Sequence, residues 1–340
     1  MSANNAPEPR YWEKMRLVAE TLKAVEGPIV IIAHEDPDGD ALGSTLGLYR
    51  ALKKLGKEAI WIMDPPRFLR FIPKEEEYHP PLETLPENAT VVVMDAGDKD
   101  RAVGAPVEGF VINIDHHGSN SRFGQIHVVD PTKPAAAMMA KDLIDLLGVE
   151  WDAEIATPVL TGIMTDTGFF KNANTTPEVF ETAALLVGYG VKYAELADRL
   201  SWRPPEYFKL TAQVLSTVRF HFGGLLVTAH VTREMIEEAG AAEEDSDDFV
   251  GLLKTAEGSV VAVLLKEREE GVKVSIRSKN GVSAQRIALE LGGGGHVPAA
   301  GATLEGKSLE EAYPLVLEAV RRELVRSGLL ASDEEDAKVV

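Results

Sequence analysis

Four short runs rich in Val and Ile, residues 28–33, 59–63, 90–94 and 111–114, set the tightest limit on what this chain can fold into. Each is apolar almost without a break. That is the pattern of a strand buried on both faces of a parallel sheet, not of one with a wet side. Helical spacing fills the intervals. Leu42, Leu46, Tyr49, Leu52 and Leu55 recur every three or four residues, describing an amphipathic helix closed by Gly56. Residues 134–147 and 177–188 read as further helices. Repeated strand-then-helix order predicts an α/β domain with its active groups at the carboxyl ends of the strands.

The pattern then changes. Residues 194–218 are helical in spacing but interrupted by Arg203-Pro204-Pro205, a natural connector. Residues 220–230 read as two strands around Gly223-Gly224, and a helix starts at Thr232. Residues 259–266 and 272–277 form a strand pair across a turn at Gly271, with a helix near residues 283–291. Strand pairs followed by helices describe a smaller α+β domain. The length of 340 residues agrees with two domains, at roughly 150 residues each.

A net charge of −19 opposes binding to a long duplex, which depends on neutralising many phosphates with Lys and Arg. Much of the excess lies in patches, Glu75–Glu77, residues 243–248 and residues 333–336, which read as solvated loops and a tail. A metal-centred pocket still attracts a short anionic ligand, because the ions are the largest local charges. The chain has no cysteine, which excludes disulfides and thiolate metal sites and suits a reducing compartment. Residues 1–10 are polar and lack a signal-peptide pattern, and no apolar run approaches a membrane span. The expected location is cytoplasmic.

Four clusters carry the chemistry. His34-Glu35-Asp36-Pro37-Asp38-Gly39-Asp40 follows the first apolar run, Asp95 follows the third, Asp115-His116-His117 follows the fourth, and Asp166 lies within Thr161–Gly168. Alone, each has a bland explanation. A single Asp after a strand is commonly a helix cap or an Asx turn, a His-His pair is commonly packing, and Asp-Pro-Asp-Gly is a turn. An EF-hand is excluded because no Glu follows at the required spacing. Carboxylates and imidazoles are nevertheless the ligands that Mn, Fe, Zn or Mg accept without thiolates. Three of the clusters end strands that would be neighbours, and so many acids repel one another unless cations neutralise them. This is the donor set of a two-metal phosphoryl-transfer centre.

Taken together, residues 34–44, Asp95, Asp115-His116-His117 and Asp166 resemble the four motifs of the DHH phosphoesterases, whose name is the third motif. Arg277-Ser278-Lys279 and the Gly292-Gly293-Gly294-Gly295-His296 run, extended by Ala299-Ala300-Gly301, resemble the DHH-associated C-terminal domain. The similarity spans roughly residues 27–304 and is most like the nanoRNase/oligoribonuclease (NrnA) type. It implies a catalytic parallel-sheet domain over residues 1–190, a helical linker over 191–218, a substrate-binding α+β domain over 219–327 and an acidic tail over 328–340.

The resemblance also implies roles. One metal would be held by His34, Asp38 and Asp95, the other by Asp40, Asp95, His116 and Asp166, with Asp95 as the bridge. His117 would contact the phosphate and assist the departing oxygen, and Asp115 would orient a ligand histidine. The expected ions are two Mn²⁺, with Mg²⁺ as the alternative. Arg277, Ser278, Lys279, Gly293, Gly294, Gly295 and His296 would grip the substrate, closing a cleft over the metals. Glycines let backbone N–H groups approach an anion, Arg277 offers paired contacts, and strand alternation puts Arg277 and Lys279 on one face.

The implied activity is hydrolysis of short oligonucleotides to nucleoside 5′-monophosphates, with phosphatase action on 3′-phosphoadenosine 5′-phosphate. A cyclic- or linear-dinucleotide phosphodiesterase is the alternative, and a homodimer through the first domain is common among look-alikes. Pyrophosphatase is disfavoured by Arg277 and the glycine run. One departure stands out: Asp130-Pro131-Thr132-Lys133-Pro134-Ala135-Ala136-Ala137-Met138 lacks the polar pair and Glu that family members often carry there. Phe68 and Phe71 could stack on a base, but burial is the simpler expectation.

Overall fold

The computed structural model describes residues 11–331, and the chain divides into two units between Trp202 and Arg203. The first unit runs α1 (Tyr11–Ala24), β1 (Ile29–His34), α2 (Gly39–Lys54), β2 (Ala59–Trp61), β3 (Thr90–Met94), β4 (Ala102–Val103), β5 (Phe110–Asp115) and β6 (Ile126–Val129). It continues with α3 (Ala136–Leu147), α4 (Ala153–Asp166), α5 (Pro177–Gly188) and α6 (Tyr193–Ser201). The sheet has the order β2-β1-β3-β5-β6, all parallel, with β4 added antiparallel to the end of β1.

The four apolar runs therefore contain strands, and alternation explains why they have so few polar positions. Ile29, Ile31, Val92, Met94, Ile112 and Ile114 face a core shared with α1 to α4. Val30, Ile32, Val91, Val93 and Val111 face the other side, where Ile62, Leu82, Leu85, Val107 and Phe123 cover them. That second cover is largely irregular chain, not a helical layer.

The strongest helix contact rests on glycines. Gly39, Gly43 and Gly47 recur every four residues along one face of α2, and α4 lies directly against them. A Cβ on Gly43 would come within 2.4 Å of the Pro158 carbonyl oxygen and 2.8 Å of Gly162 Cα. Pro158 sits inside α4 and has no N–H, so the Glu154 carbonyl one turn back loses its helical partner. Arg50 from α2 donates to that carbonyl at 2.7 Å. The same guanidinium makes two 2.7 Å bonds to Glu77 and one to the Ile72 carbonyl, with Arg50 and Glu77 both buried. Glu77 thus belongs to the interior, which corrects the reading of Glu75–Glu77 as solvated.

The second unit contains α7 (Pro205–Ser216), β7 (Arg219–His221), β8 (Leu226–Val231), α8 (Arg233–Ala239), α9 (Phe249–Leu253), β9 (Val261–Arg268), β10 (Gly271–Ser278), α10 (Ala284–Glu290), β11 (Gly294–His296), β12 (Ala299–Glu305) and α11 (Leu309–Arg326). Its sheet order is β11-β12-β10-β9-β8-β7, antiparallel except for the parallel β8–β9 pair. Apolar residues pack on both faces, with α10 and α11 on one side and α7 and α9 on the other.

Several expectations change. Residues 191–218 are not a separate linker: Leu196 and Leu200 of α6 are buried in the first core, Leu210 and Val214 of α7 in the second. Phe68 is 40% exposed, so burial does not account for it. Phe71 is half-buried, with the Arg199 guanidinium 4.0 Å above its ring. The acidic group at residues 333–336 lies outside the described residues. Among the described residues no helix is long and apolar enough to cross a membrane.

Candidate metal centre

Parallel strands carry their last side chains to one edge of the sheet, and β1, β3 and β5 are adjacent. His34 ends β1, Asp95 follows β3 directly, and Asp115 ends β5 with His116 and His117 after it. Asp38 is the N-cap of α2; its Oδ1 accepts from the backbone N–H groups of Asp40 and Ala41. Asp95 sits at φ +56°, a left-handed backbone in a buried non-glycine residue. Such strain, about 1–3 kcal/mol, persists only where surrounding structure imposes it. Here it turns the carboxylate toward His34 and His116. His34 Nε2 lies 3.6 Å from Asp95 Oδ2, and His116 Nε2 lies 3.5 Å from Asp95 Oδ1.

Asp40 and Asp166 complete the cluster. Asp166 is the last residue of α4, and α4 is held against the first turn of α2, which carries Asp40, by the glycine face described above. His116 Nε2 stands 3.6 Å from Asp40 Oδ2 and 4.0 Å from Asp166 Oδ2. Potential ligand atoms of His34, Asp38 and Asp95 lie within 4.8 Å of one another, as do those of Asp40, His116 and Asp166, and of Asp95, His116 and His117. The structure thus brings all six sequence-expected ligands together, with Asp95 between the two principal groups.

Electrostatics define what this pocket lacks. Burial and the Asp95 charge raise the pKa of Asp38, and they raise that of Asp40 well above the usual carboxylate range. Burial also lifts Asp166 to about 6, with His116 opposing and the Asp95 and Asp38 charges adding to it. Burial works against an Asp95 carboxylate too, but the imidazoles of His116 and His34 hold it down to about 2. Burial disfavours charge on those imidazoles, yet Asp95 and its neighbours raise His34 to about 9 and His116 to about 10. Protons are thus drawn in to offset clustered acids.

Divalent cations would do this better, and the donor atoms fit them. Among the described residues Asp95 Oδ1 is buried without a hydrogen-bond partner, and the imidazole nitrogens stand too far for a direct bond. Spacings near 3.5 Å suit atoms sharing one ion at ~2.1 Å each. The Nδ1 atoms of His34 and His116 contact the carbonyls of Glu35 and Lys133, which orients each Nε2 lone pair toward the carboxylates.

His117 differs. Its Nδ1 is 2.8 Å from Asp115 Oδ1, and Asp115 Oδ2 accepts from Asn120 Nδ2 at 2.6 Å. Asn120 also bonds Asn113 Oδ1 and the Ala96 carbonyl, so the whole network is tied to β5 and the loop after β3. The Asp115 hydrogen bond comes first among the causes that raise the His117 pKa, ahead of the opposing effect of burial. Asp115 therefore positions His117, whereas His116, the histidine expected to be a ligand, contacts the Lys133 carbonyl, which corrects the expectation for Asp115.

The second unit distributes its expected contacts differently. Arg277 is half-buried on β10, with Nη1 donating to the Ile276 carbonyl. The Ser278 hydroxyl is buried against the carbonyls of Val282 and Val297 and accepts from the Ala284 N–H, so it braces a turn and does not face a ligand. Lys279 lies just beyond the end of β10, and its Nζ donates to the carbonyls of Lys254 and Ala256. Gly293, Gly294, Gly295 and His296 are not a loose loop. Gly294–His296 forms an exposed strand at the edge of the sheet. Side chains at Gly293 or Gly295 would collide with β12, within 2.1 Å of the Gly301 carbonyl oxygen and 2.6 Å of Ala300 Cα.

Sequence reasoning missed the supporting residues: the Gly39, Gly43, Gly47 face, Asn113 and Asn120, and Asn174, whose amide joins the Pro134 and Asp166 carbonyls. Only the four-residue glycine spacing was visible as a pattern.

Comparison with known proteins shows the family. Residues 28–163 match the DHH family N-terminal domain, and residues 225–326 match the DHHA1 domain. The chain is 73% identical over 326 residues, covering 96% of it and 99% of the relative, to a Thermus thermophilus protein named bifunctional oligoribonuclease and PAP phosphatase NrnA. A Bacillus subtilis protein of the same name is 28% identical, over 81% of this chain and 89% of that one. The fold matches an exopolyphosphatase-related protein from Bacteroides fragilis with a TM-score of 0.83 at 23% identity, covering 94% and 98% of the two chains. With both domain models matched in order and a closely similar relative along its whole length, this chain belongs to the DHH family of phosphoesterases.

Proposed function

We propose that this chain hydrolyses very short oligonucleotides to nucleoside 5′-monophosphates and removes the 3′-phosphate of 3′-phosphoadenosine 5′-phosphate. The reading is carried by the buried, unpartnered Asp95 carboxylate oxygen standing between two groups of metal donors. The 73% identity to a protein named for these two activities supports the substrate class. His34, Asp38 and Asp95 would hold one divalent cation, and Asp40, Asp95, His116 and Asp166 the other, with Mn²⁺ favoured by the oxygen and imidazole donors. Bound there, the cations supply charge neutralisation for the phosphate and acidify water.

The protein's own groups account for the rest. Asp115 fixes the His117 ring and favours its protonated form. When a water oxygen bonds to phosphorus and the P–O3′ bond breaks, His117 Nε2 gives its proton to the departing 3′ oxygen. In the second unit, Arg277 and the outward backbone edge of β11 offer donors of the kind that bind phosphate or sugar oxygens. The acidic surface excludes long polymers from productive binding.

The test is purified protein with Mn²⁺ and a 5′-labelled RNA series from dinucleotide to about a 24-mer. Cyclic di-AMP, 3′-phosphoadenosine 5′-phosphate and pyrophosphate run alongside. Rapid cleavage of the shortest RNAs, fading with length, is the expected result. Cleavage confined to the cyclic dinucleotide or to pyrophosphate would overturn the substrate assignment and leave the metal centre standing.

A further inference from the structure

The segment that departs from the family pattern, residues 130–138, makes its contacts to the centre entirely through backbone. The Lys133 carbonyl contacts His116 Nδ1 at 3.2 Å. The N–H groups of Ala136 and Ala137 donate to the two oxygens of Asp40 at 2.6 and 2.8 Å. They cap α3 from a distance, since its own N-cap, Ala135, offers no side-chain bond. The Pro134 carbonyl shares the Asn174 amide with the Asp166 carbonyl, at 3.0 and 3.2 Å. His116, Asp40 and Asp166 are the members of one donor group. The other group, His34 and Asp38 with Asp95, is anchored by its own strand ends and by the α2 N-terminus.

One side chain pins this turn. Lys133 Nζ lies 2.9 Å from Asp142 on α3 and 2.8 Å from Glu178 on α5, and 5.2 Å from the centre of the Tyr11 ring on α1. Tyr11 in turn donates to Asp142 at 2.8 Å. The Lys133 side chain is only 10% exposed and Asp142 5%, so solvent screens that pair little, while Glu178 is half exposed. Three helices therefore converge on the ammonium of a residue whose carbonyl orients a metal-binding imidazole.

We propose that Lys133 is a positioning residue for one metal subsite alone: its clamp on α1, α3 and α5 holds the turn that sets the geometry of Asp40, His116 and Asp166. This rests on the two-cation reading above, and its consequence is that the subsites can be tuned apart. Outer contacts of this kind change metal affinity by about 10- to 100-fold when removed.

The experiment is Mn²⁺ titration of the full chain by calorimetry and by electron paramagnetic resonance of the free ion, without substrate. The proposal expects two binding steps in the unaltered protein. In Lys133→Met one step weakens about tenfold and the other stays within about twofold. Lys133→Arg restores most of the loss. Glu178→Gln, at the 53% exposed end of the clamp, gives a smaller weakening of the same step and carries the test should Lys133→Met fail to fold. Lys54→Met, which removes a more exposed ion pair of the same unit, changes neither step. Adding Lys133→Met to His34→Ala must weaken the step that survives. Equal weakening of both steps, or of neither, overturns the proposal while leaving hydrolysis to be judged by its own assay. Uptake of fewer than two ions overturns this inference and the two-cation reading together.

Discussion

The two units differ in which part of their expected chemistry they bury: carboxylates in the first, a serine hydroxyl in the second. In the first, Asp40, Asp95 and Asp115 are each no more than 2% exposed, and the carboxylates of Asp40 and Asp115 are fixed by backbone N–H groups, an imidazole and an amide. In the second, the strand Gly294–His296 is exposed on the sheet edge, and the Lys279 ammonium is engaged by backbone carbonyls. Rigid placement of charge suits a reacting centre, where a displacement of an ångström is expensive. An open backbone edge suits grip on a ligand of variable length. The proposed function places turnover in the first unit and substrate affinity in the second, a division that can be tested.

The sharpest way to break that division is Asp95→Ala. It should lower kcat by about 10³-fold or more, equivalent to ~4 kcal/mol of barrier, while circular dichroism stays unchanged. Retained turnover with clean metal-free controls would remove the centre from the chemistry. Asp115→Asn comes next, with an expected ~10²-fold loss in kcat. Because Asp115 raises the His117 pKa, the protonated form persists above the usual histidine range. The rate should therefore fall only as pH rises beyond that range, and this alkaline limb should move to lower pH in Asp115→Asn. An unmoved limb would show that His117 does not carry the proton.

Packing separates two glycines on the same helix face. Gly43→Ala meets backbone atoms of α4, and unfolding should become easier by about 1–3 kcal/mol. Gly47→Ala meets only Val159 Cγ2, the end of a side chain, and should change stability far less. Equal losses in the two variants would mean that α2 and α4 are not held by close backbone approach. On the affinity side, Arg277→Ala should raise KM about tenfold with kcat little changed, roughly the ~1.5 kcal/mol of a charged hydrogen bond. A fall in kcat of the same size would blur the division between the units.

The smallest effect is in the metal-free protein. Asp166, with its pKa lifted to about 6, loses stability as pH climbs from the unfolded carboxylate value toward 6. His34 and His116, raised to about 9 and 10, contribute stability below pH ~6.5 that is lost as pH rises through those values. Both trends have the same sign, so the melting temperature without metal should decline from pH 5.5 to 9. Mn²⁺ binds more tightly as these ligands deprotonate and should flatten or reverse the decline.

What could be read in advance divides along similar lines. The β1, β3 and β5 runs announced themselves because strands buried on both sides are apolar nearly throughout, and their ends fixed where His34, Asp95 and Asp115 would lie. Asp166 was found as a residue but not as the end of a helix: the sequence around Pro158 argues against a helix interior. The helix survives because Arg50, over a hundred positions away, donates to the freed Glu154 carbonyl. The β11–β12 hairpin was missed because glycines carry no side-chain alternation, and Glu77 looked solvated because its partner lies 27 residues upstream.

The sequence by itself determined the parallel sheet and the change of architecture at Arg203-Pro204-Pro205, since these are written in local periodicity, and its motifs named six candidate ligands through their resemblance to the family. Only the tertiary structure decided which neighbour steers each histidine. Asp115 holds His117, the Lys133 carbonyl holds His116, and Asp40 serves both a donor group and the start of α3. The contacts of His116 and Asp40 join groups distant in the chain, and hydrogen bonds to backbone carbonyls and N–H groups leave no mark on residue identity.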